Sequence, residues 1–486
     1  MMNILALLQC LRPCLDRTTV RQMSRIIPAV LAMTGRVTML GISRWTEKGG
    51  SYRTVLRFIH TVIPWATLFW LFFQHHLYRS EEVYLLAGDE CVVTKSGKQT
   101  HGLDRFFSSL YGKVVPGLEF FALSLVSLSE RRSYPIMVEQ VVRTEEEKAM
   151  AKAKALARKA KRKQKKKGKP GRPKGSKNRD KTQVTLTPEL TRIQQMVQKL
   201  LRLIGAALPL RYLVMDGKFG NNNALQMTLQ CTLHLISKLR HDAALHFAYE
   251  GPYAGRGAPR KYGNKINYAS LPDRYRQESS TEHEIQTDIY QSQMLHQDFA
   301  QPLNVVIIHK TNLITGATAH VVLFSSDLEL TYVQIIEYYS LRFQIEFNFR
   351  DAKQYWGLED FMNIKETAVT NGANLALFMV NVAHVLLRQF RQEDSNVNVL
   401  DLKAHYRGLK YVVETLKWLP EKPEPILMAP IFNEVSRLGR IHNPLPNSIP
   451  PYLARVLIRH YRLSLPRGEY MRYFFMVKVR LWQVFW

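Results

Sequence analysis

The chain has 486 residues, 46% of them hydrophobic and 22% charged, which is the composition of a folded protein with two to four structural units. Its formal net charge of +28 predicts a polyanionic partner, either nucleic acid or an anionic membrane surface. Four cysteines fit neither a disulfide framework nor a paired zinc-binding pattern, so both of these classes are excluded.

The apolar segments do not predict a membrane protein. The longest apolar run, residues 62–73, includes Pro64 and is shorter than the roughly 20 residues that a membrane-spanning helix needs. Near the N-terminus, Arg12 and Asp16 come early and no small-residue cleavage site follows, so no signal peptide is expected. We therefore expect a soluble, intracellular protein with no membrane partner.

The N-terminal region, residues 1–79, has apolar residues at helical spacing and predicts a small helical domain. Breaks occur at residues 34–36 and 49–51. Residues 42–48, followed by residues 51–57, fit a helix-turn-helix that would bind DNA. Any helical hairpin gives the same pattern, so the pattern leaves both interpretations open.

From residue 80 the pattern changes to strands and helices, which predicts an α/β fold with a first core segment over residues 80–231. Hydrophobic strands are predicted over residues 83–89, 118–126 and 210–215. Asp89 and Asp216 stand where the first and the last of these strands end, a common position for catalytic groups. A lone aspartate at a strand end is more often a cap or turn residue.

A basic segment lies between these two aspartates. Residues 148–181 contain 17 Lys and Arg against one acidic residue, Asp180, and therefore carry +16 of the net charge. Residues 165–178 are rich in Gly, Pro and Lys and are expected to be disordered when free. The Gly-Arg-Pro-Lys sequence with Arg172 and Lys174 resembles an AT-hook, whose slender cationic side chains enter the minor groove. A solvated basic loop that touches phosphates without preference is the alternative; both favour nucleic acid over membrane.

The remaining chain divides into three regions. Residues 232–330 are predicted to be rich in β-structure, with strands near residues 232–237, 284–290, 303–309 and 319–324. Residues 331–395 return to a helical pattern, and residues 396–486 are predicted to form a C-terminal helical region.

One predicted helix carries a stripe of polar residues. On a helical wheel, Tyr339, Arg342, Glu346 and Lys353 share an arc of about 60°. Phe343, Phe347 and other apolar residues flank the stripe, and residues 344, 348 and 351 mark a separate face that we expect to be exposed to solvent. Arg342 could simply neutralise Glu346 as a pair one turn apart. Alternatively, the net positive stripe suits phosphates beside a metal-bound carboxylate.

Glu346 would complete a set of three carboxylates with Asp89 and Asp216. Three carboxylates are the minimum oxygen set for two Mg²⁺ ions in phosphodiester chemistry, with Mn²⁺ as a substitute. The three residues are far apart in sequence, so only folding can bring them together.

The spacing Tyr339-x2-Arg342-x3-Glu346-x6-Lys353 resembles the YREK signature of bacterial insertion-sequence transposases of the IS-four type. Neighbouring stretches are similar too, among them AGDECVVTKSGKQTHGL around Asp89, YLVMDGKFGN around Asp216, HLISKLRHDAALHF, GRGAPRKYG and FSSDLEL. The resemblance covers roughly residues 80–390. The basic segment 148–181 is not part of this family pattern.

The resemblance implies a ribonuclease H-like core, interrupted by the β-rich region as an insertion, with a DDE triad of Asp89, Asp216 and Glu346 that binds metal. It implies that Tyr339, Arg342 and Lys353 contact DNA phosphates at the transposon end. The expected partners are double-stranded DNA, as terminal inverted repeats and target, and a second copy of the chain in a homodimeric DNA complex. The expected location is the bacterial cytoplasm, at the nucleoid. Two alternatives are a non-catalytic DNA-binding protein derived from a transposase and a ribonuclease H-like nuclease without strand transfer.

Overall fold

The computed structural model describes residues 3–46, 49–150, 153, 156–157, 180–253, 255, 258–393, 396–420 and 424–442. The AT-hook-like sequence with Arg172 and Lys174 and the aromatic C-terminal tail lie outside the described residues. The described chain has a mixed α/β architecture, in which helices pack around one large sheet.

Five helices form the N-terminal region before the first strand. Asp16 caps the long second helix, since its side chain accepts a hydrogen bond from the backbone N–H of Thr19 at 2.8 Å. The fifth helix is mostly apolar, and its phenylalanines are fully buried. Both breaks expected from the sequence fall between helices. The helices are α1 (Ile4–Leu7), α2 (Arg17–Ala32), α3 (Met39–Trp45), α4 (Tyr52–His60) and α5 (Trp65–His76).

Twelve described strands form one mostly antiparallel sheet, in the order β2-β3-β1-β5-β6-β12-β11-β10-β7-β8, with β4 paired to β3 and β9 paired to β10. Only the β1–β5 and β5–β6 pairs are parallel. The strands are β1 (Tyr84–Thr94), β2 (Asp104–Ser108), β3 (Lys113–Ser127), β4 (Arg132–Val141), β5 (Tyr212–Met215), β6 (His234–Lys238), β7 (Leu245–Ala248), β8 (Tyr262–Lys265), β9 (Arg276–Glu282), β10 (Ile285–His296), β11 (Leu303–Asn312) and β12 (Thr318–Ser325).

The strands after residue 232 do not form a separate sheet. The β6 strand pairs with β5 on one side and with β12 on the other, so β10, β11 and β12 continue the sheet that carries β1. The strands expected near residues 284–290, 303–309 and 319–324 are present as β10, β11 and β12.

Helices cover both faces of this sheet. Consecutive residues of a strand point to opposite faces. On β1, Asp89 contacts Arg342, whereas the next residue, Glu90, contacts Lys218, which in turn contacts Glu189. Therefore the helix Pro188–Ile204, which carries Glu189, lies on the face opposite to the helices Tyr332–Leu341 and Gln344–Tyr355, which flank Arg342. The later helices are α6 (Pro188–Ile204), α7 (Asn222–Gln230), α8 (Tyr332–Leu341), α9 (Gln344–Tyr355), α10 (Glu366–Glu393), α11 (Val399–Leu416) and α12 (Pro425–Arg437).

The helix α10 is the most apolar long helix in the described part of the chain. Its span Glu366–Gln392 is long and apolar enough to cross a membrane, but 83% of its most apolar window is buried inside the protein. The α4–α5 pair meets the same criterion only when joined, and it bends by 102°. Asn371 of α10 donates to the carbonyl oxygens of Ile59 and Thr61 at 2.8 and 2.7 Å, which fixes the α4–α5 bend against α10. Burial and these bonds make α10 a core helix.

The helix α11, in the C-terminal region, packs on the C-terminal end of α2. Lys403 donates to the carbonyl oxygen of Val30 at 2.8 Å, and Arg407 donates to that of Ala32 at 3.2 Å. The last carbonyls of a helix have no partner within the helix and carry partial negative charge. The two cations therefore tie the N-terminal and C-terminal helical regions together.

Candidate active site

Two of the three predicted carboxylates lie side by side on neighbouring strands. The β1 and β5 strands pair in parallel, and the last pair in register is Gly88 with Met215. Asp89 and Asp216 come directly after this pair, so they occupy neighbouring positions on the two chain segments. Asp216 directly follows β5, as expected. The expectation that Asp89 ends its strand is wrong, because β1 continues from Asp89 to Thr94.

The helix predicted to carry the polar stripe is interrupted at Arg342. The α8 helix ends at Leu341 and α9 begins at Gln344. At the break, the N–H of Arg342 donates to the carbonyl of Tyr339 and the N–H of Glu346 donates to that of Phe343, which are three-residue rather than four-residue steps. The expectation of one continuous helix is therefore wrong. The tighter turn leaves Arg342 and Glu346 on the same side of the helical segment, where their side chains form an ion pair.

Arg342 bridges two of the predicted carboxylates. Its Nη1 lies 2.8 Å from Oδ2 of Asp89, and its Nη2 lies 3.1 Å from Oε1 of Glu346. The one-turn ion pair considered from the sequence thus exists, but the same guanidinium also reaches across to β1. The side chain of Arg342 is only 10% exposed, compared with 31% for Glu346. Nε of Arg342 is buried with no hydrogen-bond partner among the described residues.

The charges of the other two carboxylates act on Asp89. Burial raises the pKa of Asp89 to about 7, although Arg342 and the N–H of Glu90 lower it, and the charges of Asp216 and Glu346 raise it further. Burial alone lowers the pKa of Arg342, but the attraction of Asp89, Tyr339 and Glu346 raises it above its usual value. Arg342 therefore stays charged inside a cluster of acids.

The other two residues of the stripe differ in their surroundings. Burial raises the pKa of Tyr339, which interacts with Arg342. Lys353 donates to the carbonyl oxygen of Val92 at 2.9 Å and pairs with Glu359 at 3.2 Å, so it lies against β1, three residues along from Asp89. The structure thus brings Tyr339, Arg342 and the three carboxylates together and places Lys353 beside them.

The face of α9 expected to meet solvent instead meets the sheet. Asn348 is 3% exposed, and its Nδ2 lies 2.8 Å from Oγ of Ser133 on β4 and 3.4 Å from Oγ of Ser124 on β3. Asp351 on the same face is partly buried, and burial raises its pKa. The expectation was wrong because a helical wheel cannot distinguish a polar residue facing water from one that pairs with buried hydroxyls.

Sequence reasoning missed a group of ionic residues on the opposite face of the sheet. Nζ of Lys218 lies 2.6 and 2.7 Å from the two carboxylate oxygens of Glu90 and 2.8 Å from Oε1 of Glu189. One feature of the sequence could have pointed to this group, namely that Glu90 directly follows Asp89 and Lys218 comes two residues after Asp216.

These residues border a cavity of about 230 Å³ between the sheet and α6. Glu119 of β3 also lines this cavity. Burial and the nearby Glu90 raise the pKa of Glu119 to about 7, while Lys218 and Arg143 lower it.

The donor set of the candidate site suits a hard divalent cation, since Asp89, Asp216 and Glu346 supply only carboxylate oxygens. In the described residues, no three His, Cys, Asp or Glu side chains are close enough to enclose an ion as they stand. Two of the three carboxylates meet Arg342 instead. The carboxylates therefore suit such an ion by their chemistry, whereas in this arrangement the guanidinium of Arg342 lies between two of them.

A comparison with protein families matches residues 10–302 to a model described as DDE superfamily endonuclease. This match covers more than half of the chain and contains Asp89 and Asp216, whereas Glu346 lies beyond its end. No curated protein matches the sequence. DDE endonucleases act on DNA and generally use divalent metal ions. The matched length, together with the two aspartates side by side within it, shows that the chain belongs to the DDE superfamily of endonucleases.

Proposed function

We propose that the chain is a cut-and-paste DDE transposase of the bacterial insertion-sequence type, with Asp89, Asp216 and Glu346 as its catalytic triad. The observation that carries the proposal is the convergence of these residues. Asp89 and Asp216 directly follow the last register pair of two adjacent parallel strands, and the guanidinium of Arg342 contacts both Asp89 and Glu346.

The order of the strands supports a ribonuclease H-like core for this enzyme. The antiparallel set β4-β3-β1 continues into the parallel strands β5 and β6, and Asp89 and Asp216 stand on the central pair. We propose that this core is formed by residues 80–231 and 331–395, with residues 232–330 as an insertion. Residues 1–79 and 396–486 are the proposed N-terminal DNA-binding and C-terminal helical regions.

In the proposed reaction, Asp89, Asp216 and Glu346 would hold Mg²⁺ ions, with Mn²⁺ as a substitute. When bound, these ions lower the pKa of the attacking water and stabilise the leaving oxygen. Water attacks a phosphodiester at the transposon end, and the 3′-oxygen leaves. The freed 3′-hydroxyl then attacks a target phosphodiester in line, a new P–O bond forms and the target 3′-oxygen leaves.

The polar stripe positions the DNA in this proposal. The charged guanidinium of Arg342 would contact a phosphate beside the carboxylates, since the planar set of donors of Arg binds phosphate well. Tyr339 and Lys353 would contribute a hydroxyl and an ammonium group as further contacts to the same DNA strand. The Arg172–Lys174 sequence would add groove or phosphate contacts, and a homodimer would pair two transposon ends.

The test uses the full-length protein, Mg²⁺ and the DNA that flanks its own gene, with a labelled strand. A transposase produces cuts at the borders of inverted repeats and also joined products in a target plasmid. Cuts without joined products would favour the simple nuclease, and binding without cuts would favour the non-catalytic DNA-binding protein.

A further inference from the structure

The two aspartates of the candidate site stand where the direct pairing of their strands has ended. The β1–β5 ladder has only three register pairs, and the last of them is Gly88 with Met215. Beyond Met215 the chain leaves the sheet in a short 3₁₀ turn, Gly217–Phe219. The register pairing of the two segments therefore stops at the residues just before Asp89 and Asp216.

An ionic bridge on the opposite face of the sheet joins the same two chain segments. Lys218 contacts both carboxylate oxygens of Glu90 and a carboxylate oxygen of Glu189 at 2.6–2.8 Å. The N–H of Lys218 also donates to Oδ1 of Asp216 at 3.2 Å. The ammonium group thus connects the residue after Asp89, the turn after Asp216 and the start of α6.

We propose that Lys218 is a positioning residue, which sets the separation of Asp89 and Asp216 through its bridge to Glu90 and Glu189. This inference rests on the proposed function of the two aspartates. The ammonium group of Lys218 contacts Glu90, the residue after Asp89, and acts on the two aspartates through the backbone.

The turn that carries Lys218 is held rigidly on its other side. Oγ of Ser237 on β6 donates to the carbonyl oxygen of Asp216 at 2.7 Å. A Cβ at Gly220 would lie 2.1 Å from the carbonyl oxygen of Lys238, so the turn packs directly on β6. Because β6 holds the turn from one side, the Lys218 bridge is a contact that ties it to β1 and α6 on the other. A catalytic or metal-binding set loses function when its members shift by about 0.5–1 Å.

A matched ion pair exists on the same face of the sheet. Lys199 of α6 lies 3.0 Å from Glu139 of β4, and both partners are partly exposed. Like Lys218, Lys199 ties α6 to the sheet, but it touches no neighbour of Asp89 or Asp216. Lys199→Met therefore removes a comparable bridge without loosening the site.

The experiment measures thermal unfolding of the full chain against Mg²⁺ concentration for wild type, Lys218→Met, Lys218→Arg and Lys199→Met. We expect Lys218→Met to raise the Mg²⁺ concentration for half-maximal stabilisation by about tenfold, as loss of a supporting contact does at metal sites. Lys218→Arg should restore most of the wild-type response, and Lys199→Met should leave the midpoint unchanged.

A Mg²⁺ midpoint that is the same in Lys218→Met and Lys199→Met, whatever their melting temperatures, would overturn the positioning role. The Asp89→Asn variant separates this result from failure of the proposed function. If Mg²⁺ raises the melting temperature of wild type but not that of Asp89→Asn, the proposed metal site is supported and only the positioning role of Lys218 is refuted. If Asp89→Asn responds like wild type, the proposed metal site itself is wrong, and the inference fails with it.

Discussion

At the scale of single residues, Arg342 is the centre of the candidate site. One guanidinium joins a strand residue, Asp89, to a helix residue, Glu346, across a long sequence separation. Burying one of these acids alone costs several kcal/mol, whereas a buried pair with good hydrogen-bond geometry offsets most of that cost. Arg342 therefore stabilises the grouping of the acids in addition to its proposed contact with phosphate.

A half-buried acid on the opposite face of the sheet, Glu119, predicts a pH dependence of stability. Its pKa is raised from the usual 4.5 to about 7, so the folded protein favours the protonated carboxyl. The stability that protonation contributes is complete below pH 4.5 and is lost as the pH rises through about 7. Glu119→Gln stays neutral at every pH. It should therefore match wild type near pH 4.5 and be more stable at pH 8.5, by on the order of 1–3 kcal/mol.

The measurement is urea unfolding of both proteins from pH 4.5 to 8.5 in a chelating buffer. A difference in unfolding free energy that stays constant over this range would contradict the raised pKa of Glu119.

At the scale of elements, α9 is held to the sheet by a buried amide. Asn348→Ala leaves the hydroxyls of Ser124 and Ser133 without this partner, and we expect a loss of about 1–3 kcal/mol in unfolding free energy. Gln344→Ala is the control, because Gln344 is the half-buried residue one turn earlier on the same face. It should change stability by less than about 0.5 kcal/mol. Equal effects in urea unfolding would show that the contact of Asn348 with the sheet is not important.

The sequence allowed some elements to be predicted and not others. The residue patterns correctly placed β3, β5, β10, β11 and β12, since strands that pack on a core carry apolar residues either consecutively or in alternation. The break at Arg342 was not predictable, because residues 338–356 contain neither Gly nor Pro. The burial of Asn348 and the Lys218 bridge were also missed, since each depends on partners that only folding brings near.

The contacts of the candidate site also divide into those that the sequence could suggest and those that it could not. The spacing of Arg342 and Glu346 suggested their ion pair as one of two interpretations, and this contact within one turn is present. The contact from Arg342 to Asp89, and the position of Asp216 beside Asp89 just beyond the β1–β5 pairing, come from segments that are distant in sequence. Local patterns could therefore suggest which residues matter, but could not give their arrangement.

At the scale of the whole molecule, charge is concentrated in one segment. Residues 148–181 hold +16 of the net +28. Each phosphate contact made by a cation contributes about 0.9 to the slope of log K against log salt for duplex DNA. Replacing these residues with a Gly/Ser linker of equal length should therefore make binding less salt dependent, by several units of slope. Fluorescence anisotropy with a short duplex measures this slope, and an unchanged slope would mean that the segment does not contact phosphates.

The central claim is that Asp89, Asp216 and Glu346 form one catalytic set. The most direct test compares Mg²⁺-dependent strand cleavage and DNA binding for wild type, Asp89→Asn, Asp216→Asn and Glu346→Gln, with Glu139→Gln as a control acid, whose partner is Lys199. We predict that each triad variant binds DNA but loses cleavage by at least about a thousandfold, while the control variant still cleaves. Cleavage near the wild-type rate in any of the three triad variants would contradict the assignment.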